Sequence, residues 1–151
     1  MLRKARVGDV KTIHRLINQS SVKGEMLPRP LMDIYGCLRD FFVYTDEGDE
    51  IIGICAMKII WENLAEVRSL YVVEDRRMKG IGRLLVEACI SEAITLQLFR
   101  VFTLTYKKDF FAKLGFKVVD RSRLSEKIWS DCFQCPKYPD FCDEVGMIIE
   151  L

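Results

Sequence analysis

Apolar residues in the first part of the chain recur with the period of a helix. After Asp9, which stands at a capping position, they are spaced three or four residues apart. They are Val10, Ile13, Leu16 and Ile17. Residues 2–6 are compatible with a short strand, and the segment 31–40 after Pro30 predicts a second short helix. The pattern therefore predicts a strand followed by two helices.

The middle of the chain changes to patterns typical of strands. Two apolar runs, 41–45 and 51–60, are joined by the polar stretch DEGDE, which is typical of a hairpin. The run 64–73 alternates and predicts a further strand. A long amphipathic helix ending near Leu98 is predicted next. Its apolar face consists of Ile81, Leu84, Leu85, Ala88 and Cys89.

The last third of the chain returns to short alternating elements. A strand is predicted over 101–105, and a helix over 109–114 is stopped by Gly115. Two more strands are predicted over 116–120 and 143–151. The order of elements predicts a mixed α/β (α+β) fold with a mostly antiparallel sheet, in a single domain.

Composition and charge narrow the function classes. The 151 residues are 50% hydrophobic, which is enough to form one domain with a buried core. The 23 basic and 22 acidic residues nearly cancel, so we expect no general attraction to nucleic acid or membranes, and any anion site must be local. The N-terminus lacks the apolar core of a signal peptide, and the six cysteines are mostly scattered through apolar segments. We expect a cytoplasmic protein without a membrane span.

The segment EDRRMKGIGRLLVEA, residues 74–88, joins the end of a strand to the start of a helix. The first N–H groups of a helix have no partner within it, and the helix dipole favours anions there. Gly80 and Gly82 permit the close approach that a pyrophosphate needs, although GxGxxG and Walker patterns are both absent. The nearby cations are Arg76, Arg77, Lys79 and Arg83. These residues alone leave open a phosphate site or a helix start whose glycines merely turn the chain.

Two motifs together resemble those of one superfamily. Residues 77–82 match [QR]-x-x-G-x-[GA], the pyrophosphate loop of the GNAT acetyltransferases, and residues 110–116 resemble that family's second motif, FYxxxGF. The predicted order of elements is also similar to that of the family over essentially the whole chain. The resemblance implies the acyl-CoA N-acyltransferase fold, with acetyl-CoA as co-substrate in a slot where the strands 64–73 and 101–105 splay apart.

The resemblance also implies which residues hold acetyl-CoA. Backbone groups of residues 70–72 would pair with the pantetheine arm, and those of residues 78–83 would hold the pyrophosphate. The implied binding residues are Leu70, Tyr71, Val72, Arg77, Met78, Lys79, Gly80, Ile81, Gly82 and Arg83.

Acetyl transfer to an amine requires a group that takes the ammonium proton. Glu66 is the candidate base, because strand alternation places it on the face of Leu70 and Val72. The alternative is an ion pair between Glu66 and Arg68 on a solvent-exposed face. The single histidine, His14, is interpreted as an ordinary boundary residue of the first helix.

The departing thiolate must be protonated or tolerated. Many GNAT members have a tyrosine where this chain has Phe111, which has no proton to give. Tyr106, at the end of the preceding strand, is the nearest phenol in sequence and is the candidate acid. The alternative is departure of the thiolate without a dedicated acid.

Three segments, 27–43, 65–72 and 130–145, resemble the short stand-alone amino-acid N-acetyltransferases, the N-acetylglutamate synthases. This implies acetylation of L-glutamate at the entry to arginine biosynthesis, by direct attack in a ternary complex. A dicarboxylate substrate needs cations, and arginine is the better bidentate partner, so Arg29 is the leading candidate. The candidate substrate-binding residues are Arg29, Arg68, Ser69, Lys107 and Lys108. For each cation the alternative is a solvated surface charge.

Two other functions stay open. The acceptor could be another amine, such as a different amino acid or a protein N-terminus. The absence of a tyrosine at Phe111 also suits a non-catalytic CoA-sensing or partner-binding module. Members of this fold often dimerise, so a homodimer is compatible with the resemblance.

Three cysteines near the C-terminus, Cys132, Cys135 and Cys142, form the spacing C-x2-C-x6-C. A zinc site would need an aspartate as fourth ligand because no histidine is near. The alternatives are a redox pair and a proline-rich loop with partly buried thiols. We expect no metal, since the spacing falls short of standard zinc patterns.

Overall fold

The computed structural model describes residues 1–24, 26, 28–77, 79–120 and 144–151. Within these ranges the elements follow the predicted order. The strands are β1 (Leu2–Lys4), β2 (Phe41–Thr45), β3 (Ile51–Trp61), β4 (Leu64–Val72), β5 (Arg100–Thr105), β6 (Lys117–Val118) and β7 (Val145–Glu150). The α-helices are α1 (Val10–Val22), α2 (Leu31–Gly36), α3 (Ile81–Thr95) and α4 (Lys108–Lys113). Three 3-10 turns cover Val7–Asp9, Leu38–Asp40 and Glu74–Arg76.

The strands form one mixed sheet in the order β1-β2-β3-β4-β5-β7-β6. Antiparallel pairing joins β1 to β2, β2 to β3, β5 to β7 and β6 to β7. Strands β4 and β5 pair in parallel, with Ala65 opposite Val101 and Glu66 opposite Phe102. The predicted α/β class and the mostly antiparallel sheet are therefore confirmed.

The chain divides into two compact units, of which the first comprises Met1–Lys58 and Val67–Glu92. In its core α1 and α2 pack against one face of β2 and β3. The core residues are Val10, Ile13, Leu16, Ile17, Ile34, Phe41, Val43, Ile51, Ile54, Ala56 and Tyr71. The apolar stripe predicted for α1 is thus buried, because it is the surface that the helix presents to the sheet.

Small residues on β3 allow α3 to pack closely on this unit. Gly53 lies against the first two turns of α3, and the Sγ atoms of Cys55 and Cys89 are 3.6 Å apart further along the helix. Both cysteines are fully buried, and burial together with the neighbouring thiol raises the pKa of Cys55. These thiols therefore behave as small apolar packing groups at this interface.

The second unit comprises Ile59–Glu66 and Ala93–Leu151. Leu64 and Phe102 are buried there and pack with Ile60, Leu104, Val119 and Ile148. An aromatic cluster forms where α4 meets β6, with Phe111 in edge-to-face contact with Phe110 and Phe116 at centroid distances of 5.0 and 5.2 Å. This cluster fixes α4 and the turn at Gly115, whose φ is 98°.

Asp9 differs from its predicted role. It does not cap α1 with its side chain, because a 3-10 turn precedes the helix. Its carboxylate instead accepts hydrogen bonds from the Arg3 guanidinium at 2.7 and 3.1 Å and from the Arg6 N–H at 2.7 Å. These contacts, with the Arg3 bond foremost, lower the pKa of Asp9.

The helix predicted over 31–40 is shorter than expected. It ends at Gly36, and the chain continues as a 3-10 turn over Leu38–Asp40. The alternation assumed for β4 is also interrupted, because Ser69 has a φ of 56°. A left-handed residue inside a strand changes the side to which the following side chains point. The grouping of Glu66 with Leu70 and Val72 on one face therefore does not follow from simple alternation.

Candidate active site

The predicted pyrophosphate loop leads directly into α3. Gly80 has a φ of 79°, a conformation that favours glycine, and α3 begins at the next residue, Ile81. The N–H of Leu84 donates to the carbonyl of Gly80 at 3.1 Å, which closes the first turn. The N–H groups before Leu84 belong to the part of a helix that lacks internal partners. Met78, also predicted here, lies outside the described residues.

The cations around this loop mostly contact the protein itself. Arg77 Nε donates to the carbonyl of Val72 at 2.8 Å, and its guanidinium lies 5.3 Å from the centroid of the Tyr71 ring. Arg83 Nε is 2.7 Å from Oε1 of Glu87 one turn along α3. Lys79 is exposed. The side chain of Arg77 therefore ties the loop to the end of β4.

Two ion pairs anchor the 3-10 turn Glu74–Arg76, which precedes the loop. Glu74 contacts Lys23 just after α1, and this contact lowers the pKa of Glu74. Arg76 Nη2 lies 3.5 Å from Oδ2 of Asp46 in the turn between β2 and β3. The approach to the loop is thus held from two other elements of the first unit.

The middle of β4 is more accessible than its ends. Residues 68–70 are partly exposed, whereas the flanking residues Val67 and Tyr71 are buried. The left-handed Ser69 lies in this accessible window. Glu66, at the buried start of the strand, is only 3% exposed and is therefore not a solvated strand charge.

Arg29 is held in a defined position in the first unit. Its Nη2 donates to Sγ of Cys37 at 3.1 Å, and its Cζ lies 5.9 Å from the centroid of the Phe41 ring. These contacts engage one of the guanidinium donors and one face of the group. The remaining donors keep the fork that suits a carboxylate.

Asp40 ends the 3-10 turn after α2 and is partly buried. Burial is the largest influence and raises the pKa of Asp40, while attraction to four basic side chains acts in the opposite direction. Those side chains are Lys4, Arg29, Arg68 and Lys58. Two predicted substrate residues, Arg29 and Arg68, therefore act electrostatically on the same carboxylate, and so does Lys58. The sequence analysis missed Lys58, although a lysine inside the apolar run of β3 is a signal that could have indicated it.

The remaining predicted residues lie in the second unit. Tyr106 is 39% exposed directly after β5, and Lys107 and Lys108 are exposed. The N–H of Lys107 donates to Oγ1 of Thr105 at 2.8 Å, which fixes the backbone at this strand end. Phe111 is 3% exposed within the aromatic cluster, so it occupies an apolar core position and has no proton to donate.

His14 makes a local contact on α1. Its Nε2 lies 3.2 Å from Nδ2 of Asn18, one turn along the helix, as befits a boundary histidine.

Among the described residues no group of three or more His, Cys, Asp or Glu side chains could hold a metal ion. The three cysteines Cys132, Cys135 and Cys142 lie outside those residues. Within the same part of the chain no helix has the length and apolarity to cross a membrane.

Comparison with known proteins points to one family. The acetyltransferase (GNAT) domain model matches residues 38–118. An uncharacterized N-acetyltransferase from Chlorobaculum tepidum is 40% identical over 147 residues, which cover 97% of this chain and 94% of that protein. The amino-acid acetyltransferase of Mycobacterium tuberculosis is 29% identical over 140 residues, covering 91% of this chain and 79% of the relative.

Solved structures extend the similarity to the whole fold. One similar structure is Rv2747 from Mycobacterium tuberculosis, crystallised with CoA and a second ligand, with a TM-score of 0.86 and 26% sequence identity. The match covers 100% of this chain and 99% of the Rv2747 chain. N-acetylglutamate synthase from Neisseria gonorrhoeae, complexed with coenzyme A and N-acetyl-glutamate, has a TM-score of 0.89. Its identity is 23%, with coverage of 100% of this chain and 35% of its own, so this match bears on the fold alone. The family match, the relatives and the shared fold establish that the chain belongs to the GNAT family of acetyltransferases.

Proposed function

We propose that this chain is an N-acetyltransferase that transfers the acetyl group of acetyl-CoA to the α-amino group of L-glutamate. Acetyl-CoA is the co-substrate of the reaction. The observation that carries the choice of acceptor is the fixed position of Arg29, whose Nη2 is 3.1 Å from Sγ of Cys37 and whose other donors suit a carboxylate. The similarity to a relative named amino-acid acetyltransferase supports the same acceptor class.

The start of α3 would hold the pyrophosphate of acetyl-CoA. The N–H groups of Ile81, Gly82 and Arg83 precede the first internal hydrogen bond of the helix, and the helix dipole adds partial positive charge. Apart from the neighbouring residues of the chain, no atom of the described residues lies within 4 Å of the position that a Cβ would occupy at Gly80, so a phosphate oxygen has room to approach the backbone there. The exposed ammonium group of Lys79 would add a positive charge beside this phosphate-binding turn.

The accessible window of β4 would bind the pantetheine arm. Backbone groups of Leu70, Tyr71 and Val72 are the candidates, since an extended ligand can pair with a strand. The carbonyl of Val72 already accepts a hydrogen bond from Arg77, so Leu70 and Tyr71 are the stronger candidates for direct pairing. The left-handed Ser69 would mark the end of this pairing nearest the thioester.

Arg29 would bind one substrate carboxylate with the donors that Cys37 leaves available. Arg68 and Ser69 would contribute from β4, and Lys107 and Lys108 would supply further charge. Glu66 would accept the ammonium proton, directly or through a water, as the nitrogen attacks the thioester carbonyl. The C–S bond then breaks, and the departing thiolate takes a proton from Tyr106 or from solvent. The 3% exposure of Glu66 supports a role inside the protein rather than that of a solvated surface charge.

The experiment is an acetyl-CoA assay that follows thiol release with a panel of acceptors. The panel contains L-glutamate, L-glutamine, other amino acids and an N-terminal peptide. We expect the highest kcat/KM with L-glutamate. Preference for another amine would redirect the acceptor assignment, and tight CoA binding without turnover of any amine would favour a sensing module.

Variants of two residues test the assigned roles. Arg29→Gln should raise the KM for glutamate by about 10- to 100-fold, the value of a hydrogen bond to a charged group, while the KM for acetyl-CoA stays constant. Glu66→Gln, of equal size, should lower kcat by about 100-fold or more. Unchanged turnover in Glu66→Gln would remove that residue from the base role.

A further inference from the structure

Gly53, the third residue of β3, lies close to α3. A Cβ at this position would be 3.0 Å from Cδ1 of Leu85 and 3.1 Å from Cγ2 of Ile81, and 3.6 Å from Cγ2 of Val72. The first two distances are shorter than ordinary carbon contacts, so the neighbours would have to move by a few tenths of an ångström. A side chain at this position would therefore crowd Leu85 and Ile81.

Backbone conformation does not explain this glycine. Among the described residues the glycines with positive φ are Gly24, Gly80 and Gly115, and Gly53 is not one of them. An alanine could adopt the strand conformation of Gly53 without strain. Only the close approach of α3 to the sheet distinguishes the position.

The two contacted helix residues lie at a critical place. Ile81 is the first residue of α3, and Leu85 follows one turn later on the same buried face. The N–H groups of residues 81–83 are the proposed donors to the pyrophosphate. The side chain of Ile81 packs on β3, and the backbone N–H of the same residue is one of the proposed donors. The distance between the Ile81 side chain and β3 therefore determines the position of that N–H.

We propose that Gly53 is a positioning residue for acetyl-CoA binding: by lacking a side chain it lets the first turn of α3 seat against β3 and so sets the position of the phosphate-binding N–H groups. This inference rests on the proposed function of the α3 start. The residue itself does not touch the co-substrate. It acts through Ile81 and Leu85.

A methyl group at Gly53 should displace the start of α3 outward. Because misplacement of a binding group by about 1 Å can cost about 100-fold, a shift of about one third of that distance should cost roughly fivefold. We therefore expect Gly53→Ala to raise the KM for acetyl-CoA, and the dissociation constant of CoA, by about fivefold. The KM for the amine acceptor should remain within about twofold, since the change acts on the phosphate site.

Two variants serve as controls. Gly8→Ala adds the same methyl where, apart from the neighbouring residues of the chain, no atom of the described residues lies within 4 Å, and it should leave both KM values unchanged. Ile17→Val removes a buried carbon from α1 and lowers stability by about 0.5–1.5 kcal/mol without touching α3. If Gly53→Ala acted only by destabilising the fold, Ile17→Val would change the KM for acetyl-CoA equally.

A compensating substitution separates crowding from other effects. Leu85→Val shortens the side chain that makes the 3.0 Å contact, so Gly53→Ala/Leu85→Val should bind CoA with an affinity between those of Gly53→Ala and the wild type. If Gly53→Ala does not fold, the double variant replaces it. Its KM for acetyl-CoA must then exceed that of Leu85→Val by at least about twofold, because the Ile81 contact remains.

The wild type distinguishes failure of this inference from failure of the proposed function. Wild-type protein that binds no CoA in calorimetry would remove the function on which the inference rests. Wild-type protein that binds CoA, with a folded Gly53→Ala of equal affinity, would overturn the positioning role alone.

Discussion

Arg77 offers the sharpest test of how the pyrophosphate loop is held. Its Nε donates to the Val72 carbonyl at 2.8 Å, and its guanidinium lies 5.3 Å from the centroid of the Tyr71 ring. If these contacts define its role, Arg77 is an anchor of the loop rather than a charge that attracts phosphate. A glutamine keeps a nitrogen at the same number of bonds from Cα as Nε of arginine, whereas lysine keeps the charge and has a carbon there. We therefore expect Arg77→Gln to bind CoA better than Arg77→Lys.

The magnitude follows from the two contacts. A hydrogen bond from a charged donor contributes about 1.5–3 kcal/mol, and an exposed cation–π contact about 0.5–1 kcal/mol. Loss of both, as in Arg77→Met, should weaken CoA binding by roughly 30- to 900-fold if the ligand must then order the loop. Arg77→Gln keeps a donor and loses the charge and the ring contact, about 1.5–2 kcal/mol together, so its loss should be roughly 10- to 30-fold.

Calorimetric titration with CoA measures these affinities, and repetition at higher salt separates charge from anchoring. Affinity lost through missing charge should converge with that of the wild type as salt increases, because exposed attraction is screened. Affinity lost through a loosened loop should not converge. The matched control is exposed Lys79, where Lys79→Arg should match the wild type and Lys79→Met should show the salt-dependent loss. An Arg77→Lys variant that binds CoA as the wild type does, with Arg77→Gln much weaker, would refute the anchoring role.

Two further predictions concern the packing of the first unit. Asp9→Asn should lower the free energy of unfolding at pH 7 by about 1–2 kcal/mol, because it weakens the bonds from Arg3, which is 13% exposed at its side chain like Asp9. Because the pKa of Asp9 is lowered in the folded protein, its contribution to the free energy of unfolding is complete above the unfolded pKa, near 4, and is lost as pH falls through the folded pKa. Denaturant titrations at pH 7 and pH 3 should therefore show that the stability difference between wild type and Asp9→Asn shrinks with acid. Cys55 and Cys89 should resist N-ethylmaleimide in the folded protein while partly exposed Cys37 reacts, as read by peptide mass mapping, and labelling of all three at one rate would contradict the burial of the pair.

Much of the fold could be predicted from local pattern. The strand 41–45 agrees with β2 at both ends, because alternating burial and flanking turns are both written locally. The predicted helix over 31–40 was wrong in its second half, since a change from α to 3-10 geometry after Gly36 leaves almost the same sequence pattern. The left-handed Ser69 could not be predicted, because serine has no preference for that conformation inside a strand.

The candidate site was predictable where a motif carries it and less so where tertiary contacts do. Gly80 and the start of α3 follow from spacing alone. The common electrostatic action of Arg29, Arg68 and Lys58 on Asp40 depends on β3, β4 and the segments before and after α2, and local sequence does not give their tertiary arrangement. The anchoring contacts of Arg77 likewise depend on where β4 ends.

The close contact of Gly53 with α3 also limits how sequences of this family can diverge. A relative that gains a side chain at the position of Gly53 must either shrink the residues that match Ile81 and Leu85 or accept a helix seated further from its sheet. Substitutions at these three positions should consequently arise together along lineages. Three positions, of which Gly53 lies about thirty residues before the other two, should then change together, although only Ile81 belongs to the recognisable glycine motif.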